Sequence, residues 1–272
     1  MIANPPLPQS PSIDQGFVIG RSSQLLKVLK LMAAFFKAWL LLRLRFPQLQ
    51  REQRLREIQG WASSVLRILE IEVHCNQGPD ADFAGLVVSN HLSWLDILVI
   101  QSLLPGVFVA KSEVRRWPII GAMARACETI FVDRASARSA HAMVDSSAAA
   151  FERGYTVVAF PEGTSSDGTD LGNFHTNIFE AAIRAQTQVQ TVTLRYVDAM
   201  TGQPNKAAHF TGEMTLLSSL RKVLARSNIK TQVHVGERIH AVGHNRRSLS
   251  HQAHRTIRTQ LLTAPQTQPG NY

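Results

Sequence analysis

The chain has 272 residues, enough for one sizeable domain with a well-buried core and a short appendage, and cramped for two domains. Hydrophobic residues at 44% and charged residues at 18% suit a globular protein, and a formal net charge of +9 points to an anionic partner: nucleic acid, acidic lipid or an acidic carrier protein. Aromatic residues make up only 7%, with neither zinc-finger spacing nor an aromatic and basic RNA-binding signature, so nucleic acid ranks last and a membrane surface first.

Residues 1–22 carry Pro5, Pro6, Pro8, Pro11, Gly16 and Gly20 without the basic start, apolar core and cleavage site of a signal peptide, and read as a flexible tail. From Ser23 to Leu44 the composition turns to Leu, Phe, Met, Ala and Trp39, interrupted by Lys27, Lys30, Lys37 and Arg43. The longest uncharged piece, Leu31 to Phe36, falls far short of the roughly 20 residues that span a bilayer. Plotted on a helix, Lys27, Lys30, Lys37 and Arg45 share an arc of about 80°. Leu25, Leu29, Met32, Phe36 and Leu40 lie opposite, with Arg43 the exception among them. The pattern predicts an amphipathic helix in the headgroup layer, basic side to anionic lipid and apolar side to acyl chains. A helix packed on the domain with its cations in water is the competing reading. A second helix, about Gln50 to Leu69, follows, so residues 23–70 are expected to associate with the membrane ahead of a domain over 71–262.

Strands and helices then alternate. Apolar, β-branched runs predict strands over Gly85 to Ser89, Gly106 to Ala110, Thr129 to Val132, Thr156 to Phe160, Val189 to Tyr196 and Thr231 to Val235. Helical stretches fall near Ser93 to Leu103, Ser136 to Arg153, Asn173 to Ala185 and Glu213 to Ala225. This alternation predicts an α/β fold, a largely parallel central sheet flanked by helices, with its ligand crevice beyond the C-terminal strand ends. Cys75 and Cys127 match neither a metal site nor a disulfide framework and are expected as buried thiols of a reducing compartment. From Arg246 a polar, helical stretch carries Arg247, His251, His254, Arg255 and Arg258: a docking face for an acidic carrier protein, or a solvated surface. Residues 263–272 read as a second flexible tail.

The chemistry concentrates just past the strands. Asn90-His91-Leu92-Ser93-Trp94-Leu95-Asp96 sets an imidazole and a carboxylate five positions apart after an apolar run. On one helix those side chains would diverge by about 140°, so His91 is placed before the helix start. A neutral imidazole held by a carboxylate takes a proton from a hydroxyl. Ser93 and Asp96 also fit a capping box, in which Asp96 merely bonds back to the helix N-terminus. Lys111 follows the second expected strand, Asp133 and Arg134 the third, and Glu162 the fourth, so all are expected on one rim. The Arg134 guanidinium suits a phosphate or carboxylate, against an Asp133 helix cap with a solvated Arg134. Phe160-Pro161-Glu162-Gly163-Thr164-Ser165-Ser166-Asp167-Gly168 is expected to project Glu162 into the rim to orient substrate hydroxyls; a plain polar turn is the alternative. No His spacing suits a metal.

Taken together, Asn90-His91-x-x-Trp94-x-Asp96, Lys111 with Pro118 and Gly121, Phe131-Val132-Asp133-Arg134 and Phe160-Pro161-Glu162-Gly163-Thr164 resemble, in order and separation, the lysophospholipid acyltransferases of the 1-acylglycerol-3-phosphate acyltransferase family. The resemblance covers roughly residues 84–196. It implies transfer of a fatty acyl group from an acyl carrier protein or coenzyme A thioester, with no tightly bound cofactor, to the free hydroxyl of a lysolipid, first of all 1-acyl-sn-glycerol-3-phosphate, giving phosphatidate. It implies His91 as general base, Asp96 as its support, Arg134 and Lys111 at the acceptor's anionic head, and Glu162, Gly163 and Thr164 in the acceptor pocket. It also implies a peripheral or monotopic enzyme on the cytoplasmic face of the inner membrane. Ser165 stands where a basic residue often follows Gly-Thr, and Thr191 where a Pro is usual. The Gly-Thr-Ser-Ser-Asp-Gly run and Phe210-Thr211-Gly212-Glu213-Met214-Thr215-Leu216 are similar instead to a bacterial branch that acylates lyso-ornithine lipid, whose head carries a carboxylate and an amine. A serine hydrolase is disfavoured because no G-x-S-x-G elbow occurs. A non-catalytic lipid-binding membrane protein would need a defect in motifs that are intact.

Overall fold

The computed structural model describes residues 18–263 apart from Pro79, Ala81 and Arg134. Its first helix, α1 (Arg21–Leu44), packs on the second, α2 (Arg51–Ile68), where the Trp61 indole N–H donates to the Ala34 carbonyl at 3.3 Å and Phe35 meets Trp61 edge-on. The apolar stripe of α1 that binds the domain is Val28, Leu31, Phe35 and Ala38, at the three- and four-residue spacing of one helix face. Lys27 stands on this inner face. It is 4% exposed, its ammonium 3.0 Å from a Glu70 oxygen and 2.8 Å from the Arg226 carbonyl. The expected geometry of α1 is therefore half corrected. Leu25, Leu29, Met32, Phe36 and Leu40 do face away from the protein, but Lys27 belongs to the interior, not to a basic lipid-facing side. A buried ammonium requires an anion and hydrogen-bond acceptors, and the C-terminal ends of α2 and of a later helix supply them. Val18 and Ile19, expected in a tail, are tied to Arg226 and Ala225 through main-chain contacts. Arg21 and Ser22, also expected in the tail, open α1, and Thr263 ends the last helix; residues 1–17 and 264–272 lie outside the described residues. No helix among the described residues is long and apolar enough to cross a membrane.

Seven strands follow: β1 (Ile71–Cys75), β2 (Gly85–Ser89), β3 (Val107–Lys111), β4 (Ile130–Val132), β5 (Val157–Ala159), β6 (Gln188–Asp198) and β7 (Ile229–His240). They line up in the order β1-β7-β6-β2-β5-β3-β4, parallel throughout except for the β6–β7 pair. The helices between them are α3 (Leu95–Leu103), α4 (Ile120–Ala126), α5 (Ala137–Glu152), α6 (Asn177–Arg184), α7 (Leu216–Leu224) and α8 (Arg246–Thr263). Successive strand residues point to opposite faces, which splits the core in two. Val87, Val158 and Leu194 pack with α1, α2, α3 and α7. Leu86, Val88, Val157 and Ala159 pack with α5, α6 and α8 on the other face.

The sequence does not announce β1 or α4. In Ile-Glu-Val-His-Cys only Ile71 is fully buried, so this edge strand lacks an apolar run. Helix α4 rests on close approach: a Cβ on Gly121 would collide with the main-chain oxygens of Arg115 and Val114 in the 3-10 turn Ser112–Arg116. Cys75 and Cys127 are free and half-buried rather than buried; desolvation raises both thiols, Cys127 to about 12.

Candidate active site

The sheet register explains why the polar residues meet. Val88 of β2 pairs with Ala159 of β5, Phe108 of β3 with Val158 of β5, and Lys111 of β3 with Val132 of β4. His91, Glu162 and Lys111 therefore leave adjacent strands at nearly one level on the C-terminal rim. With strands about 4.8 Å apart, Lys111 starts about 10 Å from His91, within reach of a long side chain. It is exposed. Arg134 lies outside the described residues.

Past the end of β2 the chain is pinned before it turns into α3. The buried Asn90 amide donates to the Leu194 carbonyl at 3.0 Å while its oxygen accepts the Leu194 N–H at 2.8 Å, extending the β2–β6 ladder by side chain. His91 thus emerges at a fixed point. Its Nδ1 lies 2.8 Å from an Asp96 oxygen, and its ring stacks on Phe160 at 4.2 Å between centroids. The imidazole side chain is 21% exposed and Asp96 fully buried. Nδ1 takes its proton toward the carboxylate, so Nε2 keeps a lone pair with no partner among the described residues.

Asp96 accepts four hydrogen bonds. One oxygen takes His91 Nδ1 and the backbone N–H groups of Leu92 and Ser93 at 2.6 and 2.9 Å; the other takes the Tyr196 hydroxyl at 2.8 Å. The capping and acid–base readings are not rivals, because one carboxylate closes the helix start and holds the ring. Tyr196, which sequence reasoning passed over, is fully buried. Burial, then the neighbouring Asp96 charge, holds its phenol far above the ordinary value, so it remains a donor. Its only sequence signal is a hydroxyl-bearing ring in phase with the inward Leu194.

Glu162 does something other than expected. At 8% exposure it turns inward, one oxygen accepting the His91 N–H at 2.7 Å and the other the Gly172 N–H at 2.8 Å. It braces the imidazole's own backbone instead of facing a substrate hydroxyl. Burial raises its pKa, opposed by those two N–H bonds and by the facing His91. Gly163 adopts φ +75° in the tight turn after Pro161, a conformation only glycine holds without strain. Thr164 is exposed beside it. The Ser166 N–H then donates to the His91 carbonyl at 2.8 Å, so this loop is stitched to the His91 segment.

A further wall comes from residues 209–212. The Phe210 N–H donates to the Leu92 carbonyl at 2.8 Å, and the Ser165 hydroxyl donates to the Phe210 carbonyl. His209 is 8% exposed, beside Tyr196 and Gly168; desolvation lowers its pKa, against the pull of Asp96 and Asp167. Trp94 fixes the other side, its indole N–H donating to the Ser219 hydroxyl of α7 at 3.0 Å. Among the described residues no cluster of His, Cys, Asp and Glu could hold a metal.

An oriented imidazole with one free nitrogen at an open rim activates a hydroxyl. The comparisons with known proteins identify the family. The family model named Acyltransferase matches residues 70–195. The lyso-ornithine lipid O-acyltransferase of Pseudomonas aeruginosa is 33% identical over 250 residues, 91% of this chain and 95% of that protein. The 1-acyl-sn-glycerol-3-phosphate acyltransferase of Neisseria meningitidis serogroup B is 34% identical over 148 residues, 54% of this chain and 58% of that protein. The crystal structure of the 1-acyl-sn-glycerophosphate acyltransferase PlsC from Thermotoga maritima shares the fold at a TM-score of 0.62 and 20% identity, over 89% of this chain and 98% of that one. At one-third identity along nearly the whole of both chains, the chain belongs to the acyltransferases of the 1-acylglycerol-3-phosphate acyltransferase family.

Proposed function

We propose that the protein moves a fatty acyl group from an acyl carrier protein or coenzyme A thioester to the free hydroxyl of a lysolipid at a membrane surface, with His91 as general base. The observation that carries this reading is the Asp96-held ring of His91, whose Nε2 is open to the rim. In the reaction Nε2 accepts the acceptor's hydroxyl proton as the oxygen attacks the thioester carbonyl. The tetrahedral intermediate then expels sulfur, which takes the same proton back from the imidazolium. Ester and thiol are the products, and no acyl-enzyme is required. Asp96 stabilises the transient imidazolium, and Lys111 meets the acceptor's anionic head together with Arg134.

Lyso-ornithine lipid is the acceptor we favour. The relative matched along nearly its whole length carries that name, and the loop beside the site holds an anion, Asp167, and no Lys or Arg from Gly163 to Gly172. Asp167 is exposed, its pKa lowered by the Thr169 hydroxyl and N–H, and a fixed carboxylate suits an amine rather than a phosphate. 1-Acyl-sn-glycerol-3-phosphate is the second reading, supported by the Neisseria relative and by Lys111. The membrane contact falls to the outward apolar face of α1, and the cytoplasmic side of the inner membrane fits thioester donors.

Purified full-length protein with either thioester and each lysolipid, followed by thiol release and ester product, tests all of this. His91→Ala should lower the rate by about 10² to 10⁴. Retention of half the activity would remove His91 from the chemistry, and faster turnover of the phosphate acceptor would reverse the order of acceptors.

A further inference from the structure

Helix α8 holds four arginines, two histidines and no acidic residue in its 18 positions. Leu249, Ala253 and Ile257 bury its inner face against the sheet. On the outer face Arg247, His251 and Arg255 recur every fourth residue, one above the other, all exposed. They line a shallow groove with His244 and Gln252. Arg258 is paired with Asp170 at 3.4 Å and Arg246 reaches Asn177, but neither Arg247 nor Arg255 has an ion pair among the described residues. Arg247 and Arg255 therefore present uncompensated positive charge on one exposed face of the helix.

Two placements say what answers them. Helix α8 belongs to the core layer with α5 and α6, whereas α1, with its outward Leu29, Met32 and Phe36, belongs to the layer on the other face of the sheet. A bilayer under α1 leaves the α8 stripe turned to the aqueous side. Another side of the same helix is joined to the site: Asp170, the partner of Arg258, and Phe174, against which the His254 ring packs at 4.9 Å, both lie on the segment whose Gly172 N–H holds Glu162.

We propose that the outer stripe of α8 is the docking surface for an acidic protein that carries the acyl group as its thioester. This rests on the thioester donor proposed above. A negatively charged carrier helix laid along Arg247, His251 and Arg255 runs from the N-terminal end of the sheet, where His240 pairs with Gln188, toward the segment 170–174 that borders the site, and its acyl arm enters from that end. Charge complementarity of this kind acts chiefly on encounter and is weakened by salt.

The test compares the full-length protein with an Arg247→Glu/Arg255→Glu variant, using an acyl carrier protein thioester and a coenzyme A thioester as alternative donors to one lysolipid. The expected result is a kcat/KM about tenfold or more lower with the carrier donor. With the coenzyme A donor, kcat/KM should stay within about twofold, which also shows that the variant is folded. Arg247→Gln/Arg255→Gln should give a smaller loss of the same pattern, and added salt should slow the wild-type carrier reaction alone. An unchanged carrier reaction, or an equal fall with both donors, overturns the proposal. So does loss of vesicle binding with carrier kinetics intact, which would assign the stripe to anionic lipid. Wild-type protein that uses the coenzyme A thioester but not the carrier overturns the docking surface and leaves acyl transfer standing. Turnover of neither donor overturns transfer itself.

Discussion

At the scale of single residues, Asp96 shows how much one carboxylate can be asked to do. Its oxygens take two backbone N–H groups, an imidazole and a phenol, so its charge is stabilised without water. Tyr196 has no contact with the rim and acts only through this carboxylate, which makes it a positioning residue. A hydrogen bond to a buried charge contributes roughly 1.5–3 kcal/mol. If about half is felt where the imidazolium forms, Tyr196→Phe lowers kcat/KM by roughly four- to twelvefold. The loss should fall on kcat with KM little changed, because the phenol touches the carboxylate and not the acceptor. A fall in melting temperature with kcat unmoved would reduce Tyr196 to packing. Asn90 permits a second test. Without its amide bridge to Leu194, His91 leaves β2 unpinned, and Asn90→Ala should lower kcat with little change in KM, because geometry at the base is lost while acceptor contacts persist.

At the scale of elements, the sequence was most legible where a buried run met a polar stop. Strand β2 was read to the residue, and β3 to β6 to within a few, because Val, Ile and Leu fill positions covered on both faces. It was least legible at the margins. Strand β1 buries only its first residue fully, and α4 is positioned by Gly121 against a 3-10 turn, a close approach that leaves no periodic trace. Helix α1 was misjudged on one side for a definite reason: it is apolar on both faces, and a lysine among them was read as solvated when its partners, Glu70 and the Arg226 carbonyl, lie about 40 and 200 residues on. Glu162 was misread similarly, since its backbone partners come from residues 71 and 10 positions away. The corrected α1 makes a sharper prediction than the basic stripe did. If the outward apolar face supplies membrane contact, Met32→Glu/Phe36→Glu should abolish flotation with vesicles while Lys30→Gln/Lys37→Gln only weakens it, each cation near an acidic surface contributing about 1 kcal/mol. Flotation of the Glu variant at wild-type levels would assign contact to another surface.

At the scale of the whole molecule, the site is a meeting of four strand ends with a crossover segment, and two of its buried titratable groups tie it to global stability. Desolvation lowers the pKa of His209 and raises that of Glu162, and the consequences differ in sign. For His209 the unfolded chain binds a proton near pH 6.5 that the folded chain resists. Below that pH the unfolded state binds more protons, so stability present at neutral pH is lost as pH falls through the lowered folded value. For Glu162 the folded chain binds its proton first. Between its raised folded value and about 4.5, stability from this group grows as pH falls, since there the folded state binds the extra proton. The two groups act with opposite sign, and the loss from His209 begins at about pH 6.5, where the unfolded imidazole takes up its proton. Melting temperature should therefore drop between pH 7 and 5.5 in the wild type, and His209→Gln should flatten that drop while changing the neutral value little. His209 touches the site only through Tyr196, Gly168 and the field of Asp96 and Asp167, so the variant should keep most of its turnover at pH 7.5. An equally steep fall in the variant would show that the acid sensitivity belongs to other groups, and that the 209–212 wall is held by its bonds to Leu92 and Ser165.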